Sequence, residues 1–94
     1  MTQNSIVQIF KLPSFEELCA HEIPTTQIQP NGRWIEQDPL EILAAVRQSA
    51  AEAIKKLKGY SISDIVAIGL TNQRETTIVW DKFTGLPLYN AIGK

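Results

Sequence analysis

Cysteine, histidine and phosphate-binding glycine loops are scarce or missing in these 94 residues. A single cysteine, Cys19, excludes an intramolecular disulfide and a cysteine-based zinc cluster, and it favours a reducing compartment. His21 has no second histidine and no cysteine at metal-ligand spacing, so we interpret it as a surface or structural residue and expect no metal site. Neither G-x-G-x-x-G nor G-x-x-x-x-G-K-[ST] occurs, so the residues indicate no cofactor-binding loop.

Neither the basic nor the acidic residues form a cluster along the sequence. Nine basic and ten acidic side chains give a net charge of −1 and are scattered along the chain. This pattern argues against nucleic acid and anionic membrane surfaces as partners. Residues 1–10 contain no basic stretch followed by a long apolar core, so we expect neither a signal peptide nor a transmembrane segment, and predict a cytoplasmic protein.

The first third of the chain predicts a β-hairpin. Residues 6–10 and 18–23 have the apolar patterning of two short strands, and Pro13 and Ser14 supply turn residues between them. Residues 24–32 contain two prolines and an Asn-Gly pair, which predict a surface connection without regular structure. With 94 residues and 44% hydrophobic content, the chain has the size of one small domain with a thin margin of stability.

A helix is predicted to start at Asp38. Asp38 is an N-cap residue, Pro39 suits the first helical position, and Glu41 stands three residues past the cap as in a capping box. Lysines near the end and Gly59 predict where the helix stops. The residues spaced for one buried apolar stripe are Leu43, Val46, Ala50, Ile54 and Leu57.

The remaining residues predict an α/β layer. Residues 65–70 form a nearly continuous apolar run, typical of a strand covered on both faces. Residues 76–80 and 87–92 can pair as a further hairpin, with Asp81 as a turn former. Trp34 and Trp80 are interpreted as core anchors.

The candidate binding site is the polar run that follows the apolar strand, residues 71–75. Ligands in open α/β sheets bind beyond the carboxyl ends of strands. Arg74 and Glu75 are adjacent and offer several donors and two acceptor oxygens, which suits a ligand with several hydroxyl groups. Taken alone, the pair has an alternative interpretation, because such dipeptides in loops are often solvated or engaged in structural hydrogen bonds.

Three blocks of sequence resemble the glycerol kinases, within the larger group of sugar and polyol kinases. They are Trp-Ile-Glu-Gln-Asp-Pro at residues 34–39, Ala-Ile-Gly-Leu-Thr-Asn-Gln-Arg-Glu-Thr-Thr-Ile-Val-Trp-Asp at residues 67–81, and Gly-Leu-Pro-Leu-Tyr-Asn-Ala at residues 85–91. The blocks occur in the family's order and spacing, and the resemblance covers about residues 6–92.

The resemblance implies part of an N-terminal domain of the actin and hexokinase type, which is ribonuclease H-like, with a mixed sheet and a packed helix. It also implies transfer of the terminal phosphate of ATP, with Mg²⁺, to glycerol. Arg74 and Glu75 match the family's Arg-Glu pair that hydrogen-bonds glycerol. No catalytic, cofactor-binding or metal-binding residue of the family matches this sequence.

The same resemblance predicts that residues 1–94 are a single partial domain, because the family's first phosphate-binding strand and its Asp-Gln-Gly-Thr turn have no counterpart at the start. The catalytic aspartate and the adenine site lie far downstream in the family. We therefore expect weak glycerol binding, little binding of ATP or Mg²⁺, and no turnover by the chain alone. The alternatives are a non-catalytic module that binds an intact kinase subunit and an unstable remnant of a kinase.

Overall fold

The computed structural model describes residues 3–30, 32, 34–73 and 76–93. Along the chain these form β1 (Gln3–Lys11), β2 (Glu16–Thr25), β3 (Ile35–Gln37), α1 (Pro39–Lys55), a 3₁₀ turn (Ile62–Asp64) and β4 (Ala91–Gly93). The strands make two antiparallel two-stranded sheets, β1 with β2 and β3 with β4. The predicted α/β class is confirmed.

The predicted N-terminal hairpin is also confirmed, with longer strands than the pattern indicated. Ser5 pairs with Ile23 and Val7 pairs with His21, and the register shifts after Ile9 at a bulge. Because side chains alternate across a strand, these pairs share one face of the hairpin. That face is the one against which α1 packs.

The helix begins as predicted. Asp38 is the N-cap, and its Oδ1 accepts a hydrogen bond from the backbone N–H of Leu40 at 2.9 Å. The predicted capping box is not formed, because the carboxylate of Glu41 accepts from the backbone N–H of Thr26 at 2.6 Å and so links the helix start to the chain leaving β2. The helix ends at Lys55, and Gly59 has a positive φ of 83° shortly afterwards.

The buried face of α1 differs from the predicted one. Ala45, Ser49 and Ala53 are its buried residues, whereas Leu43 and Val46 of the predicted stripe are 45% and 39% exposed. The physical reason is the closeness of the contact, since small side chains let the helix backbone approach the hairpin.

Two hydrogen bonds join α1 directly to the hairpin. The thiol of Cys19 donates to the carbonyl of Ala53 at 3.1 Å, and the hydroxyl of Ser49 donates to the carbonyl of Ser5 at 3.4 Å. Ser49 and Ala53 have no exposed surface. The centre of the contact between α1 and the hairpin is therefore made of small residues rather than of large apolar ones.

The predicted strand at residues 65–70 is absent. These residues lie in no strand, and Ile68 and Leu70 are 90% and 91% exposed. An apolar run favours a buried strand only if neighbouring strands pair with it, and none of the described residues does so. The interpretation of the tryptophans as core anchors is wrong too, because Trp34 and Trp80 are 50% and 59% exposed.

The C-terminal hairpin is present as an antiparallel ladder. Thr77 bridges Ile92, and Trp80 bridges Pro87. Asp81 forms the turn as predicted, since its Oδ1 accepts from the backbone N–H groups of the two turn residues Phe83 and Thr84 at 2.7 and 3.1 Å. The ladder leads into β4, which pairs with β3, a strand that the sequence pattern did not predict.

Candidate functional site

The predicted ligand-binding residues Arg74 and Glu75 lie outside the described residues, so their assignment stays a prediction. The structure describes the residues on either side of them. The side-chain amide of Gln73 donates to Thr76 Oγ1 at 2.8 Å and to Gln37 Oε1 at 2.6 Å. The side chain of Gln73 therefore contacts both Thr76 and β3.

The residues that follow the dipeptide are held by the C-terminal ladder. The backbone N–H of Thr77 donates to the carbonyl of Ile92 at 2.9 Å, and the N–H of Ile92 donates back at 3.0 Å. A Cβ placed on Gly93 would come within 3.1 Å of Thr76 Oγ1, tighter than ordinary van der Waals contact. Glycine at this position lets the end of β4 lie against the side chain of Thr76.

Gln37 connects Gln73 to the second sheet. It is 4% exposed and pairs with Ala91 across the second sheet. Its side-chain nitrogen lies 3.4 Å from Thr25 Oγ1 and its side-chain oxygen accepts from Gln73. Because a buried amide needs partners for both of its polar atoms, these contacts fix the direction in which the side chain points.

Glu36 holds Tyr89 and Asn90 against the same sheet. It is 3% exposed, and its two carboxylate oxygens accept from Tyr89 Oη at 2.7 Å and from Asn90 Nδ2 at 3.1 Å. The hydrogen bond to Glu36, with smaller contributions from burial and from the carboxylate charge, raises the pKa of Tyr89 above 10.0. Tyr89 thus stays a donor to Glu36 at neutral pH.

The three sequence blocks that carry the family resemblance therefore meet in space. Residues 34–39 contribute Glu36 and Gln37, residues 67–81 contribute Gln73 and Thr76, and residues 85–91 contribute Tyr89 and Asn90. The first block was quoted only for the resemblance, and no role was predicted for its Glu-Gln pair. Two polar residues in a three-residue strand were the available signal, because a buried polar pair needs partners.

His21, which the sequence analysis weighed as a possible metal ligand, contacts a lysine side chain. His21 Nδ1 lies 3.0 Å from the ammonium group of Lys56, which also donates to the carbonyl of Ala20 at 2.9 Å. Within residues 3–30, 32, 34–73 and 76–93, no group of three or more His, Cys, Asp or Glu side chains is arranged to hold a metal ion. No helix in that same part of the chain has the length and apolarity needed to cross a membrane.

This chain belongs to the FGGY family of carbohydrate kinases, whose N-terminal domain matches residues 2–93. It is 43% identical over 93 residues to a probable glycerol kinase of Caenorhabditis elegans, a match that covers 97% of this chain and 18% of that protein. It is 59% identical over 66 residues to glycerol kinase 1 of Clostridium tetani (strain Massachusetts / E88), covering 70% of this chain and 13% of that protein.

The glycerol kinase of Fusobacterium nucleatum is similar at 57% identity over 67 residues, which is 71% of this chain and 13% of that protein. The chain thus spans less than a fifth of the length of these relatives. The family membership confirms the resemblance, the actin and hexokinase type of fold, and the place of this sequence in the N-terminal part of such a kinase.

Proposed function

We propose that this chain supplies part of the glycerol site of an ATP-dependent glycerol kinase, with Arg74 and Glu75 as the residues that hydrogen-bond the substrate. The observation that carries the proposal is that the three sequence blocks meet: Gln73, which precedes the Arg-Glu dipeptide in sequence, donates to Gln37, and Tyr89 and Asn90 donate to Glu36. The relatives that share these blocks are named glycerol kinases. In the whole protein the terminal phosphate of ATP would pass to a glycerol hydroxyl.

The proposed role of these 94 residues is substrate recognition rather than phosphate transfer. A guanidinium next to a carboxylate can donate to one hydroxyl and accept from another, which orients a polyol. We expect the N-terminus of α1 not to hold a phosphate of ATP, because Asp38 and Glu41 place carboxylates there whose oxygens accept from backbone N–H groups. Two carboxylates at a helix start repel a phosphate.

The test is heteronuclear NMR of the labelled chain with increasing glycerol, and with the water-miscible ether 1,2-dimethoxyethane as a ligand that lacks hydroxyl groups. A few exposed hydrogen bonds give an expected dissociation constant on the order of millimolar or weaker. We expect shifts confined to residues 73–77, and no formation of glycerol 3-phosphate when ATP and Mg²⁺ are added. Shifts spread over the whole chain, or none at all, would contradict the assignment of the site.

A second function is favoured by the exposed apolar residues at 65–70. Val66, Ile68 and Leu70 are 78%, 90% and 91% exposed, and a segment with apolar side chains and unpaired backbone groups can serve as a template for another strand. This segment would bind an intact kinase subunit by strand addition. Co-purification with such a subunit that is lost in the variant Ile68→Lys would support this function, and an unchanged complex would contradict it. The predicted cytoplasmic location fits either function.

A further inference from the structure

We propose that the contact between His21 and Lys56 is a pH-sensitive connection between α1 and the hairpin. It joins the end of the helix to β2 while the imidazole is neutral, and it breaks when the imidazole is protonated. Both residues lie outside the proposed glycerol site, and the connection does not depend on the function proposed above.

The donor and the acceptor of this contact follow from the chemistry of the two groups. Nδ1 of His21 lies 3.0 Å from Nζ of Lys56. An ammonium group has three donors and no acceptor, so Nδ1 accepts with its lone pair. The neutral ring therefore carries its hydrogen on Nε2.

The same ammonium group holds the hairpin at a second atom. Nζ of Lys56 donates to the carbonyl of Ala20 at 2.9 Å. Lys56 is also the C-cap residue of α1, and its backbone N–H bonds to the carbonyls of Ala53 and Ile54 in the last turn. One residue therefore closes the helix with its backbone and connects the helix to two adjacent residues of β2 with its side chain.

Protonation of His21 removes one of these two connections. An imidazolium ring has a hydrogen on both nitrogens, so Nδ1 and Nζ would become two donors and two positive charges about 3 Å apart. Lys56 must then leave Nδ1, and the bond to Ala20 is the one that can remain. Because an imidazole changes charge between about pH 5 and 8, the contact is complete at the upper end of that range and is lost as the pH falls.

The groove around the contact contains few other charged groups. Among the described residues, His21 and Lys56 line an open groove of about 560 Å³ together with Glu17 and Glu22 of β2. The strand β1 contributes the uncharged side chains of Ile6 and Gln8. Carboxyl and ammonium groups in model peptides titrate outside the range from about pH 5 to 8, so the imidazole is the group of this groove whose charge changes there.

The tautomer is tested first, by ¹H–¹⁵N NMR of the imidazole ring in the 94-residue chain. A ring nitrogen that carries a hydrogen and one that carries a lone pair differ strongly in ¹⁵N shift, and His21 is the one histidine of the sequence. At about pH 8 we expect the lone pair on Nδ1 and the hydrogen on Nε2. A neutral ring with its hydrogen on Nδ1 would refute the contact, and this measurement needs no variant.

Amide hydrogen exchange then measures how firmly the helix end is held. The backbone N–H groups of Lys56 and Leu57 each donate to a carbonyl of the last turn at 3.1 Å. Their exchange rates, corrected for intrinsic rates, are divided by that of Ser49 in the middle of α1. We expect this ratio to rise roughly 1.5- to 5-fold between about pH 8 and about pH 5, the range for one exposed charged contact. An unchanged ratio would refute the pH-sensitive connection.

Three variants assign the pH effect to the two side chains. We expect Lys56→Met, which removes the ammonium group, to abolish the rise of the ratio. Lys55→Met is the matched control one residue earlier, where the ammonium group pairs with Glu52 at 3.3 Å, and it should keep the rise. His21→Asn offers an acceptor oxygen that does not titrate, so the ratio should be the same at both pH values. A full rise in both Lys56→Met and His21→Asn would show that other groups cause the pH effect, and the proposal would fail.

Discussion

The contact between α1 and the hairpin predicts a large effect for Ala53→Leu. Ala53 is completely buried and its carbonyl accepts from the Cys19 thiol at 3.1 Å, so no space exists for a longer side chain. Overpacking of such a site costs about 1–3 kcal/mol of unfolding free energy. In a domain of this size, 1 kcal/mol lowers Tm by about 4–8 °C.

The control for this variant lies two residues earlier in the same helix. Ala51 is exposed, so Ala51→Leu makes the same chemical change on the outer face. Leucine and alanine have similar helix propensities, and we expect a change within about 0.5 kcal/mol. Urea unfolding followed by circular dichroism measures both variants. Equal stability of Ala53→Leu and the unchanged chain would mean that α1 packs through a different face, and the account of the small-residue contact would be refuted.

Three further predictions concern single groups. In a Tyr60→Phe background, absorbance titration of Tyr89 should give a pKa above 10, and Glu36→Gln should lower that pKa. A pKa that is the same with and without Glu36→Gln would contradict the hydrogen bond between Tyr89 and Glu36. Because the folded-state pKa of Tyr89 is raised, the stability from this bond is complete below pH 10 and is lost as the pH rises through the folded-state pKa, which unfolding measured against pH can detect. Asp38→Ala should cost about 1 kcal/mol of unfolding free energy, and Asp38→Asn much less, because asparagine still caps Leu40; equal losses in urea unfolding would refute the cap. Gly85→Ala should cost about 1–2 kcal/mol because φ is 77° at this position, and a neutral effect on Tm would contradict the left-handed turn.

Local signals predicted the elements that depend on local chemistry. Asp38 and Pro39 predicted the start of α1, and Asp81 predicted the turn of the C-terminal ladder, because capping and turn formation involve residues close in sequence. The buried face of α1 could not be predicted in this way. Large apolar residues usually face a core, but here Ala45 and Ala53 are buried because the helix approaches the hairpin closely, which is a property of the tertiary contact.

The candidate site also contains residues that the sequence identified and residues whose roles depend on tertiary contacts. The family resemblance identified Arg74 and Glu75, and this assignment stays a prediction. The buried partners around the loop, Glu36 and Gln37, were not identified, because their roles depend on a short strand that pairs with residues far along the chain. The apolar pattern of residues 65–70 predicted a strand, but a strand also needs neighbours to pair with, and a pattern within six residues contains no information about them.

The pairing of β3 with β4 leads to an expectation about the order in which the two sheets form. The two strands of the hairpin are joined by a short turn, whereas Glu36 and Asn90 are 54 positions apart and enclose α1 between them. Each doubling of a loop adds about 0.6 kcal/mol to the entropy cost of closing it, so the second sheet is expected to form last and open first. We therefore expect the described residues next to the Arg-Glu dipeptide in sequence to belong to the unit that opens first, and a ligand that binds there would also keep this large ring of chain closed.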